Sequence, residues 1–118
     1  MTGRSEVSDG NAADANESQW QYLLAHARNA GLSEYQALVE AAYAEPQLRR
    51  LYPDMQYWML FFADSSQGLF LARKNVCLEA PSDLNRGQYT LRASWQSPPL
   101  AQAATAADII ALTVQHLG

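Results

Sequence analysis

Gln56-Tyr57-Trp58-Met59-Leu60-Phe61-Phe62 is the stretch on which the fold turns. Upstream of it, apolar residues recur at helical spacing. From it onward they come in dense runs or strict alternation, the mark of a change from helix to strand. The run has strand length, is rich in aromatic residues and is bounded by turn residues. That predicts a central strand covered on both faces. On this reading Trp58 is a core residue, and its truncation to alanine costs about 3–5 kcal/mol.

Working back toward the N-terminus, Pro46 ends a helix, because the residue before a proline is pushed out of the α region. Pro46 itself starts a short turn to Leu51, closed by Tyr52-Pro53. The helix before it opens at Ser33-Glu34-Tyr35-Gln36, which has capping-box spacing, and buries Tyr35, Leu38, Val39, Ala42 and Tyr43. An earlier helix opens at a second such box, Ser18-Gln19-Trp20-Gln21. It carries Trp20, Leu23, Leu24 and Ala27 on one stripe and ends at Gly31 in a left-handed cap. Residues 1–17 are polar and small, with too little apolar surface to offset ordering entropy. They read as a disordered acidic tail whose deletion leaves stability unchanged, ahead of a single domain over 18–118.

Working forward, Asp64 to Gly68 is a turn. Leu69–Arg73 and Val76–Glu79 form a second strand, with a bulge at Lys74-Asn75. Pro81–Gly87 is a polar loop. Gln88–Trp95 alternates, with Tyr89, Leu91, Ala93 and Trp95 facing inward and Thr90 and Arg92 on a wet face. Pro98-Pro99 stops this strand, which makes it a sheet edge where Arg92 serves either to recruit a partner or to guard against pairing. Thr105 caps a final helix, Ala106–Leu117, with Asp108 in its first turn. The fold class is α+β: an N-terminal helical hairpin, a three- to four-stranded antiparallel meander and a C-terminal helix.

Composition bounds the function. The 118 residues are 48% hydrophobic and 17% charged, which suits one packed domain. The net charge is −4, and Glu6, Asp9, Asp14 and Glu17 against Arg4 leave −3 of it in the first eighteen residues. Without a basic stripe, nucleic acid is not an expected partner. The single Cys77 allows no internal disulfide, and neither a leader nor a membrane span is apparent. The expected compartment is the cytoplasm, with no membrane partner.

The segments Leu48-Arg49-Arg50-Leu51-Tyr52-Pro53, Trp58-Met59-Leu60-Phe61-Phe62, Gly87-Gln88-Tyr89-Thr90-Leu91 and Thr105 to Leu112 resemble a family of small actinobacterial proteins. The family has unknown function and is loosely labelled natural product biosynthesis. The resemblance spans Trp20 to Leu117 and implies a setting in bacterial secondary metabolism. The family pattern of a Ser-His pair after Leu-Tyr-Pro and a late-strand Arg reads here Gln56-Tyr57 and Phe61. No functional residue is therefore carried over.

No catalytic, cofactor-binding or metal-binding constellation stands out. His26 and His116 lie near opposite ends of the sequence, and His116 suits a helix C-terminus. Cys77 sits between Val76 and Leu78 as a small core hydrophobe. Glu34 and Glu40 fall on different faces of one helix, and Asp54 and Asp64 suit turns. The doublets Arg49-Arg50 and Arg73-Lys74 suit a solvated surface. What remains is a surplus of aromatic residues in the strand half, which points to an exposed interface patch. The leading reading is a non-catalytic binding or accessory module that docks another protein, or a second copy of itself. Its candidate contacts are Tyr52, Tyr57, Thr90 and Arg92. A small enzyme or ligand-binding cone would instead line a cavity with Trp58, Tyr89 and Trp95. An immunity-like partner of a basic toxin is a third reading.

Overall fold

Helix periodicity governs the first half of the chain. The computed structural model describes residues 3–63, 73–94 and 96–117. Helix α1 runs Gly3–Ala30, α2 runs Ser33–Ala44 and the single turn α3 is Pro46–Arg49. Gly31 closes α1 at φ 72°, as a left-handed cap requires. Glu45 ends α2 and caps α3 by accepting from Gln47 N at 3.3 Å, so Pro46 stands at the first helical position.

Two helix starts differ from the expectation. Leu32 is the N-cap of α2 and supplies no side-chain cap. Ser33 is already helical, and Gln36 donates to Glu40 at 2.9 Å instead of reaching back. Helix α1 begins at Gly3, so Ser18 lies inside it, and the predicted disordered tail is helical from that residue on. Met1 and Thr2 lie outside the described residues. Apolar anchors are scarce here, yet polar ones serve. Asn16 Nδ2 donates to the Arg50 carbonyl at 3.0 Å. Glu17 accepts from Tyr43 and Gln21 and lies 3.6 Å from Arg49. These contacts hold the turn that precedes Trp20.

The second half is a five-stranded antiparallel sheet in the order β1-β2-β3-β4-β5. Its strands are β1 Tyr52–Gln56, β2 Met59–Ala63, β3 Arg73–Glu79, β4 Tyr89–Arg92 and β5 Pro99–Ala103. Helix α4, Ala106–Leu117, follows, and Thr105 Oγ1 accepts from Asp108 N at 3.2 Å as its cap. The α+β class and the order of helices, meander and helix agree with the sequence reading. The strand count rises to five for two reasons. The predicted first strand is a hairpin folded at Tyr57-Trp58, and the residues after Pro98 form β5. The predicted turn at 64–68, the start of the second strand and Trp95 lie outside the described residues. The β2–β3 register shifts between Phe61 and Ala63, opposite the predicted bulge.

One face of the sheet closes the core. Leu60, Phe62, Leu78, Tyr89 and Leu91 pack with Trp20, Leu23, Tyr35, Leu38, Leu48 and Ile109. Trp20 Nε1 donates to the Leu51 carbonyl at 3.0 Å, which satisfies its one polar atom. The opposite face is also buried at Phe61, Cys77 and Thr90. Residues 60–63 of β2 are therefore covered on both sides, as a central strand should be.

Candidate functional site

The hairpin tip is where local preference and tertiary structure part. Gln56 pairs with Met59, which leaves Tyr57 and Trp58 as a two-residue turn. Their φ values are 54° and 64°, both left-handed. Such primed turns are ordinarily built from Asn-Gly or Asp-Gly, because bulky side chains are strained there. Tyr57 is 87% exposed and Trp58 46%, which corrects the core assignment of Trp58.

Trp58 is held from two helices. Its ring stacks on His26 of α1 at 5.6 Å between centroids and 12° between planes. His26 stacks in turn on Tyr22, four residues earlier, at 6.0 Å and 8°. Tyr35 of α2 meets Trp58 edge-on at 5.4 Å and 85°. These contacts offset the cost of the left-handed turn. His26 Nε2 and Tyr35 Oη are buried without hydrogen-bond partners among the described residues. Burial, with a smaller push from Asp54 and Tyr22, raises the Tyr35 phenol to about 12, so it stays protonated near neutrality.

Beside the tip lies a groove of about 360 Å³. Leu32, Glu34 and Tyr35 form one wall, Tyr57, Trp58 and Met59 the second, and Glu79 to Ser82 the third. The third wall is pinned by Asn85, whose Oδ1 accepts from Ser82 N at 2.7 Å and whose Nδ2 donates to the Ala80 carbonyl at 2.9 Å. A hollow of about 480 Å³ lies near Asn16, Glu17, Arg49 and Arg50. Two of its charges serve the fold, since Arg49 pairs with Glu17 and sits 4.2 Å over the Tyr43 ring. The Tyr43 hydroxyl, followed by the Gln21 amide, lowers the Glu17 carboxyl below its ordinary value, and the same bond raises Tyr43.

The four predicted contact residues are not brought together. Tyr57 is at the tip. Tyr52 is half-buried at the opposite end of β1, with its phenol pushed up by burial and by Asp54. Thr90 is fully buried and donates to the Gln88 carbonyl at 3.2 Å, so it offers no wet surface. Arg92 lies in an interior strand, because β5 pairs alongside it and forms the edge. It ion-pairs with Glu79 at 3.1 Å and donates to the Ser97 carbonyl at 2.6 Å, so it guards no edge. Tyr89 is buried and donates to the Glu34 carbonyl at 3.1 Å, and it is not among the residues that line the groove beside Trp58. Cys77 is buried and His116 exposed on the last turn of α4.

Sequence reasoning missed Trp58, His26, Tyr22 and Glu34 as neighbours. The run Gln56–Phe62 has the length of one strand, and neither Tyr57 nor Trp58 is a residue that marks a primed turn. Among the described residues, no cluster of His, Cys, Asp and Glu is suited to a metal ion, and no helix is long and apolar enough to cross a membrane.

A family model described as a family of unknown function (DUF6193) matches residues 14–118. The chain belongs to this family. The match contains the span of the resemblance and adds the turn bearing Asn16 and Glu17, the residues that tie α1 to the rest of the fold. No curated protein and no solved structure matches the chain.

Proposed function

We propose that this member of the DUF6193 family is a non-catalytic docking module that binds another protein through the Tyr57-Trp58 tip and its groove. One observation carries the reading: two large aromatic side chains occupy an exposed, left-handed turn where small residues fold more readily. Tyr57 is 87% exposed on this left-handed backbone, which suggests a role outside stability. Tyr and Trp in such positions are the usual anchors of protein interfaces. The resemblance around Leu48–Pro53 extends the proposal to an accessory role in bacterial secondary metabolism.

A small-ligand site draws support from the groove lined by Leu32, Tyr35, Trp58 and Met59. However, ligand pockets bury about 70–90% of a small molecule, and the wall at Tyr57 is 87% exposed. The docking reading therefore ranks first. The test is calorimetric titration against proteins encoded beside its gene. Tyr57→Ala and Trp58→Ala should each weaken binding tenfold or more, about 1.4 kcal/mol. Cys77→Ser and His116→Ala should bind as the wild type does. A partner held equally well by both tip variants would remove the tip from the interface.

A further inference from the structure

We infer that the groove beside the hairpin tip receives a cationic side chain, an arginine or lysine presented by the partner protein. This rests on the docking reading and adds the chemistry of what is docked. Two features of the groove agree on it. Its aromatic side chains are Tyr35, Tyr57 and Trp58. The faces of such rings attract cations, tryptophan most strongly. Its charged lining residues are Glu34 and Glu79, and no lysine or arginine is among the described lining residues. Glu79 is already paired with Arg92 at 3.1 Å, which leaves Glu34, exposed and without an ion pair among the described residues, as the acid at the rim. Asp54 adds negative charge close enough to act on Tyr35.

The same arrangement disfavours the alternatives. An acidic segment would meet Glu34 and the negative faces of the rings, a mismatch that opposes binding. A purely apolar side chain would leave Glu34 without use. The open wall at Tyr57 suits a side chain that enters from a larger partner, with the partner's own surface covering the exposed ring.

The test uses the full chain, labelled with ¹⁵N. The probes are acetylated, amidated Gly-Gly-X-Gly-Gly peptides in which X is Arg, Lys, Gln or Glu, together with tetramethylammonium chloride. The readouts are the Trp58 indole N–H resonance, assigned with Trp58→Phe, and the Glu34 backbone amide. The Arg and Lys peptides should move both resonances saturably, and the Gln and Glu peptides should not. Glu34→Gln should weaken the Arg peptide about two- to fivefold, the range of an exposed ion pair. Trp58→Ala, followed at the Glu34 amide, should weaken it further. Equal binding of the Arg and Gln peptides, or no effect of Glu34→Gln, overturns the cationic inference and leaves the docking reading standing. Binding of tetramethylammonium without either basic peptide assigns the groove to a free organic cation and overturns the partner side chain. Self-association that disappears in Trp58→Ala makes a second copy the occupant, with the same consequence.

Discussion

Trp20 and Trp58 are both tied to α1, and they do opposite work. Trp20 is fully buried, tilted against Tyr43 at 5.7 Å and Phe62 at 6.1 Å, with its N–H bound to the Leu51 carbonyl. Trp58 stacks on the same helix through His26, yet is 46% exposed on a left-handed turn. Aromatic content alone does not separate the two regions. The separation lies in whether backbone, polar atom and ring are all satisfied together. Around Trp20 they are, and the seam between α1, α3 and β1 is stability. Around Trp58 a left-handed backbone remains, and two polar atoms on the side chains that touch it have no hydrogen-bond partner among the described residues.

The sharpest way to break this comparison is truncation of each ring. Trp20→Ala should cost about 3–5 kcal/mol, the range for a buried aromatic, and it also leaves the Leu51 carbonyl unpaired. Trp58→Ala should cost under about 1.5 kcal/mol, because the residue is already 46% exposed. Urea unfolding of both variants measures this. Equal losses would return Trp58 to the core and remove the contrast.

Tyr57→Asn sharpens the comparison from the other side. Asparagine tolerates positive φ where tyrosine does not, so stability should rise by about 0.5–1 kcal/mol while partner binding weakens. A lower thermal midpoint would mean that Tyr57 supports the fold and that the turn is not held for binding.

The smallest expected effect tests the Trp20 side. The folded-state pKa of Glu17 lies below its ordinary value of 4.5, owing first to the Tyr43 hydroxyl and then to Gln21. Its stabilising contribution is therefore fully present above about pH 4.5 and fades as the pH falls through the lowered folded value. The Glu17 side chain is 42% exposed, so solvent screening keeps the effect small. Unfolding midpoints of wild type and Glu17→Gln should differ at neutral pH and converge in acid. A gap independent of pH would show that Glu17 acts through packing alone.

Legibility followed the range of the interactions involved. The buried face of α2, the Gly31 cap and the break at Pro46 were readable because neighbours three or four residues apart decide them. The hairpin at Tyr57-Trp58 was not, because neither residue signals a primed turn. Strand β5 was hidden by Pro99, which cannot donate to a ladder but is tolerated as the first residue of an edge strand. Thr90 looked solvent-facing because alternation gives the side of a strand and not what covers it. Its hydroxyl accepts from Gln102 on β5 at 3.3 Å.

By itself, then, the sequence determined the α+β class, the order of helices and strands, and most of the core, since each depends on local periodicity. Only the tertiary structure decided where the aromatic run folds back, which strands are edges and which tryptophan meets water. The turn at Tyr57-Trp58 is offset by rings of His26 and Tyr35, contributed by two different helices. No window of sequence around the turn contains those rings, so the site exists only once the helices have packed.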